Sequence, residues 1–268
     1  VWKARNPSKV IDEMEHYLKT YGATDFQFQD LTAIVRKDWI ISFCRELIER
    51  RLNITWSLPV GTRSEAIDGE VPALLMASGC HHVTYAPESG SEDILKSIEK
   101  KVHLDHLERS ALDSLAAGMK VCLFLIIGFP QESLEDIKKT LRFIRRMARL
   151  GVHEVAVSTF VPLPGTQLFD ETGKIVPIVV DDEYCHWMAA ATSLWTVRSW
   201  NPRFSDRRLL WLKFCAFFQF YALSYLHHPG RLWRLLANAL RGRQETKVDR
   251  VLHEFSVKLR ASTKSSAS

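Results

Sequence analysis

Cysteine is scarce and scattered: the five, at positions 44, 80, 122, 185 and 215, lie at least 30 residues apart. That spacing excludes a close-set thiolate metal site and a disulfide framework. With no signal-like opening stretch, it predicts a reducing compartment, the cytoplasm. Regular hydrophobic patterning is missing from residues 170–205. Long apolar runs are equally rare. Only residues 209–226, with Lys213 as their single charge, reach the lower edge of a membrane-span signal. Gln219, Ser224 and the lysine weaken that signal, so a buried packing helix is expected ahead of a membrane-surface contact or a span. Acidic residues thin out toward the C-terminus. Residues 198–260 carry 13 Lys or Arg against 4 Asp or Glu, a net of +9, where the whole chain is +5. A solvated helical surface accounts for this as well as an anionic lipid, a nucleic acid or an acidic partner does.

What is present is a repeat. With 268 residues and 46% hydrophobic content, the chain can bury one or two cores. Asn6-Pro7 opens a helix to about Tyr21. Short strands follow at 25–29, 54–58, 83–85, 121–127 and 154–159, with helices between them at about 37–51, 71–77, 91–98, 105–118 and 133–150. The run 121–127 is apolar throughout, as a strand covered on both faces should be. Such alternation predicts parallel strands joined by right-handed crossovers, an α/β fold of partial β/α-barrel type over residues 1–170. Residues 171–268 are predicted to form an irregular segment followed by helices near 206–226, 229–241 and 245–260.

In a barrel of this kind ligands bind where strands end. Asp30, Arg63, Glu88, Gly128 and the turn 162–166 should therefore share one rim. Carboxylates there can bind an ammonium or hydroxyls, an arginine can pair with a carboxylate, and a glycine lets a flat ligand approach the backbone. Asp30, Glu88 and Asp136 are also good helix-cap residues, and for Asp136 that reading is taken outright. His103 and His106 share a helix face without an evident third metal ligand. Trp187, Trp195 and Trp200 are mostly core candidates that could instead line a bulky substrate pocket.

The segments 25–30, 54–57, 79–80, Glu88-Ser89-Gly90-Ser91, Ile127-Gly128-Phe129-Pro130 and Pro162-Leu163-Pro164-Gly165-Thr166, in that order, resemble the radical S-adenosylmethionine (radical SAM) enzymes. The nearest resemblance is to the branch with an N-terminal cobalamin-binding domain, which includes the anaerobic magnesium-protoporphyrin ester cyclases. It covers residues 1–170 closely and the helical tail loosely. It implies a partial TIM-type barrel, its first strand missing here, that binds S-adenosylmethionine and a [4Fe-4S] cluster and generates a 5′-deoxyadenosyl radical. By motif position, Asp30 would lie near the methionine amino group, and Glu88 and Ser89 near the ribose or methionine end. Arg63 would reach the carboxylate, Ile127 and Gly128 would line the adenine with backbone groups, and Pro162 would begin the turn that closes the far side.

The family's cluster is held by a CxxxCxxC loop for which this chain has no counterpart, and Cys44 and Cys122 are expected in the core. The chain is thus expected to be the C-terminal part of a radical SAM enzyme, or a truncated relative, with cluster and any cobalamin held elsewhere in the full-length protein. Its partner would be a small molecule, with an apolar or lipid-like one and peripheral membrane contact left open and no nucleic acid expected. Two alternatives are a non-catalytic S-adenosylmethionine-binding protein and a membrane-associated partner subunit.

Overall fold

A computed structural model describes residues 3–30, 34 and 36–241, without the side chains of 239–241. The expected helix at 245–260 lies outside the described residues. Helix α1 (Pro7–Tyr21) starts where the Asn6 side chain accepts the Ser8 N–H at 2.9 Å and ends where the Gly22 N–H reaches the Leu18 carbonyl. There follow β1 (Asp25–Gln27), α2 (Lys37–Arg50), β2 (Thr55–Thr62), α3 (Val71–Ala77), β3 (Cys80–Glu88), α4 (Glu92–Ser97), α5 (Leu104–Ala116), β4 (Lys120–Ile127), α6 (Leu134–Leu150) and β5 (Glu154–Thr159). The five strands form one parallel sheet in chain order, β1-β2-β3-β4-β5, a half-barrel. Successive strands sit side by side because each returns through a helix.

β2 and β3 are longer than expected. β2 continues through Pro59 and Gly61, residues that read as a loop. β1 pairs only as far as Ser57, so beyond that point β2 has a strand neighbour on one side only, and a residue without an N–H is tolerated there. In β4 and β5 the odd-numbered residues, such as Val121, Leu123, Leu125, Val155 and Val157, are buried. Phe124, Ile126, Ala156 and Ser158 on the other face are half-buried, which distinguishes a helix-covered face from a more open concave one. Trp56 anchors the covered face near α2: Phe28 and Phe43 meet it edge-on at 5.2 and 5.3 Å, and its Nε1–H donates to the Ser78 carbonyl at 3.1 Å.

The stretch without clear periodicity contains two short helices, α7 (Gln167–Gly173) and α8 (Asp182–Ala189), each capped by a side chain, Thr166 and Asp181. Their brevity hid them, because two turns carry too few positions for a periodic signal. Beyond them lie α9 (Asp206–His227) and α10 (Gly230–Arg241). α9 is long and apolar enough to cross a membrane by length and composition. Here it packs against α6 and β5. Leu209 near its start touches Gly128 at the C-terminal end of β4, and Ser224 near its end shares Arg231 with Gly151 and Val152 just before β5.

Lys213, the lone charge of α9, is 1% exposed and donates to the Ala191 and Ser193 carbonyls at 3.0 and 2.8 Å. Burial lowers its pKa to about 8. Lys213→Met keeps the stem but strips both carbonyls of their donor, so a loss of about 1–3 kcal/mol in urea-unfolding free energy is expected.

Candidate functional site

The parallel order puts every C-terminal strand end on one edge. Asp30 lies three residues beyond β1, Arg63 directly follows β2, Glu88 ends β3, Gly128 follows Ile127 at the end of β4, and Pro162 lies three residues beyond β5. The edge divides into two parts. Asp30 and Arg63 are exposed and Glu88 is half-buried, whereas Ser89, Ile127, Gly128 and Pro162 are buried.

The buried part is held by its own hydrogen bonds. Ser89 turns its hydroxyl toward α6, 3.2 Å from the Thr140 hydroxyl, and accepts the Ser91 N–H at 3.1 Å. Gly90 beside it lies so close to α6 that a Cβ there would come within 2.7 Å of the Thr140 Cα. The Ile127 carbonyl accepts from the Phe160 N–H at 2.9 Å, and the Gly128 N–H donates to Glu132 at 2.5 Å. Gly128 has a left-handed φ of +89°, and a side chain there would also meet Leu209. Pro162 offers its carbonyl to the Tyr184 hydroxyl on α8. Tyr184, Trp200, Phe129 and Phe160 form a small apolar cluster over this end of the sheet, with the Phe129 and Phe160 rings 5.1 Å apart. Of the three tryptophans considered for a substrate pocket, Trp200 belongs to this cluster, Trp195 is exposed and Trp187 is half-buried.

Glu132 closes the turn after β4 and has no role assigned from the sequence, yet it is the most perturbed acid at this edge. It is 0% exposed, and burial raises its pKa to about 8 although the Gly128 and Phe129 N–H groups favour its anion. Its Oε1 has no hydrogen-bond partner. Asn201 braces the same turn by donating to the Phe129 and Glu132 carbonyls. Asp136 is a cap, as expected: Ser133 and Asp136 form a reciprocal capping box, and the Ser133, Ser91 and Lys139 partners outweigh burial to hold its carboxyl down at about 2.

The open part carries backbone strain. Three non-glycine residues among those described have positive φ: Arg51, Glu88 and Glu99. Arg51 and Glu99 follow the ends of α2 and α4, where a left-handed residue is an ordinary helix stop. Glu88, at φ +68°, ends a strand, and its carboxylate accepts from Lys100 at 2.9 Å. A left-handed glutamate costs roughly 1–2 kcal/mol, and strain of this kind gathers at ligand sites.

A half-barrel of parallel strands joined by helices defines a β/α-barrel protein, a fold in which ligands bind at the C-terminal strand ends. Residues 2–144, more than half of the chain, match the radical SAM superfamily, and the chain belongs to that superfamily. Among curated proteins it is similar to an uncharacterized methyltransferase of Pyrococcus horikoshii, 26% identical over 63% of this chain and 36% of that protein. It is also similar to the anaerobic magnesium-protoporphyrin IX monomethyl ester cyclase of Rubrivivax gelatinosus, 25% identical over 68% and 32%. The chain thus spans about a third of the length of these relatives. Among solved structures, the radical S-adenosylmethionine methyltransferase TsrM of Kitasatospora setae, with cobalamin and a [4Fe-4S] cluster bound, has the same fold. Its TM-score is 0.54 at 19% identity, covering 64% of this chain and 34% of that one.

The superfamily uses S-adenosylmethionine and a [4Fe-4S] cluster, and the two fit this chain differently. Cys44, Cys80 and Cys122 are buried, with burial pushing the Cys44 thiol up to about 11 and Cys80 higher still, while Cys185 and Cys215 lie on α8 and α9. Among the described residues no three His, Cys, Asp or Glu come together as a metal site, and His103 and His106 are no exception. These residues do not fit a cluster. The strained Glu88, with Asp30 and Arg63 at the neighbouring strand ends, does fit a ligand carrying an ammonium, hydroxyls and a carboxylate.

Proposed function

We propose that this chain is the S-adenosylmethionine-binding barrel portion of a radical enzyme that modifies a small molecule in the cytoplasm. The observation that carries the proposal is Glu88, a carboxylate held in a strained backbone conformation at the middle strand of the ligand edge. In the proposed role Glu88 takes hydroxyl or ammonium protons of the cofactor as hydrogen bonds, Asp30 takes the ammonium, and Arg63 pairs with the carboxylate. The Ile127–Gly128 end, whose carbonyl and N–H are engaged within the protein, meets the adenine chiefly through van der Waals contact. Ser89 holds the Glu88 loop against α6, and Pro162 with Tyr184 limits water at the far side. These residues would hold S-adenosylmethionine, which, given an electron from the cluster of the proposed full-length protein and with loss of methionine, would supply radical hydrogen-abstraction chemistry. The cluster and any cobalamin belong to the proposed full-length protein.

Calorimetric titration with S-adenosylmethionine tests this reading. The wild-type chain is expected to bind, and Glu88→Asn to weaken binding by about tenfold or more. Asn tolerates a left-handed φ better, so the same variant should be as stable as wild type or up to about 1 kcal/mol more stable. Equal binding by both proteins would reject the role of Glu88. Peripheral membrane contact, and with it an apolar substrate, is favoured by the exposed Trp211, Phe214, Phe218 and Trp233 on α9 and α10.

A further inference from the structure

At the edge of the sheet opposite the strand ends, α6 stops, β5 begins and the chain turns from α9 into α10. A pocket of about 290 Å³ opens there, lined by His153, His228, Pro229, Gly230, Arg231 and Arg234. Its lining carries two guanidinium groups, two imidazoles and no carboxylate.

Each basic group is held in place or left accessible. Arg231 is fixed from behind: its Nη1 donates to the Val152 carbonyl and the Ser224 hydroxyl at 2.8 and 2.7 Å, and its Nη2 donates to the Gly151 carbonyl. That leaves part of a preorganised guanidinium fork for another acceptor. His153 accepts the Val121 N–H on its Nδ1 at 3.3 Å, so in the neutral ring Nε2 carries the hydrogen and is a donor. His228 is fixed through Nε2, which donates to the Arg149 carbonyl at 3.2 Å. Arg234 is exposed.

Burial pushes His153 down to about 4, and Arg231, Lys120, Arg234 and His228 all act on it in the same direction. Burial and Arg234 likewise lower Arg231. Cations crowded together and partly taken out of water raise one another's energy, and a bound anion relieves that cost. A planar fork beside one imidazole donor, His153 Nε2–H, suits tetrahedral phosphate oxygens.

We propose that this pocket binds a phosphate group, with Arg231 and Arg234 as its charge partners and His153 Nε2–H as a hydrogen-bond donor. The site is separate from the cofactor edge and does not depend on the function proposed for that edge. The phosphate can belong to a soluble metabolite or to an anionic lipid headgroup. Leu226, Trp233 and Leu236 are exposed on the same two helices and would meet the acyl region in the second case.

The test uses the whole 268-residue chain, inorganic phosphate and the His153 ring-nitrogen NMR signal, assigned with His153→Gln. Phosphate is expected to shift that signal saturably, to raise the titration point of His153, and to bind more weakly as salt rises. Arg234→Glu, an exposed replacement that should leave the circular-dichroism spectrum unchanged, is expected to weaken binding by about tenfold. An unmoved His153 signal, or equal affinity of the Arg234→Glu protein, would overturn the proposal. Flotation with phosphatidylcholine vesicles, with and without phosphatidic acid, separates the two sources. Binding that needs phosphatidic acid and is competed by phosphate identifies a headgroup. Phosphate binding without vesicle binding identifies a soluble ligand.

Discussion

Trp56→Ala is expected to lower the unfolding free energy by about 3–5 kcal/mol. The indole is 1% exposed and sits between Phe28 and Phe43, with Trp39 stacked on Phe43 at 5.3 Å. Alanine would leave a void lined by aromatic rings that cannot collapse without pulling α2 off the sheet. It would also deprive the Ser78 carbonyl and hydroxyl of the indole N–H. Trp56→Phe keeps most of the volume and loses only the hydrogen bond, so about 1–2 kcal/mol is expected. Guanidinium unfolding followed by far-UV circular dichroism measures both. Equal losses in the two variants would mean that the polar contacts, not the packing, hold this corner.

The second large effect is a pH dependence set by Glu132. Its carboxyl titrates at about 8 in the folded chain, against an ordinary value of 4.5. Between those limits the unfolded state gives up a proton that the folded state keeps. The stability linked to this group is therefore fully present below about pH 4.5 and is lost as pH rises through about 8. Glutamine keeps a carbonyl oxygen for the Gly128 and Phe129 N–H groups and has no proton to lose. Relative to wild type, Glu132→Gln should thus gain stability with rising pH, by on the order of 3 kcal/mol between pH 5 and 8.5. His153, depressed to about 4, also titrates partly in this window, but alike in both proteins, so the difference isolates Glu132. Lys213, depressed to about 8, acts on the alkaline side of that value. Parallel urea titrations at several pH values measure the difference, and a constant gap would show that Glu132 is ionised in the folded protein.

The parallel half-barrel was legible because its signals are local. Pro7, Ser133 and Gly151 mark helix ends, and the unbroken apolar run in β4 marks a strand, although its Phe124 and Ile126 face is only half-buried. The order of the turns then placed Asp30, Arg63, Glu88, Gly128 and Pro162 at one edge of the sheet. Features set by long-range contact were less visible. β2 runs through Pro59 because β1 ends early, a fact about the neighbour and not about the residue. Ser89 could be placed in the turn from the sequence, but not the hydroxyl contact it makes with Thr140, 51 residues away on α6. The burial of Glu132 was not legible because a glutamate after a proline turn reads as a surface residue, and its carboxylate folds back onto the Gly128 N–H while Asn201 braces the turn. The sequence did not supply the position of α9: it packs one face beside α6 and β5, with Lys213 tying it to the segment after α8, and leaves Trp211, Phe218 and Leu226 exposed.

The central claim is that S-adenosylmethionine binds at the C-terminal edge of the sheet, and amide chemical-shift mapping of the titrated protein tests it most directly. Saturable shifts are predicted at Arg63, Glu88 and Gly128, with the amides of Val152 and Arg231 at the opposite edge unmoved. Shifts confined to that opposite edge, or none at Glu88, would contradict the account.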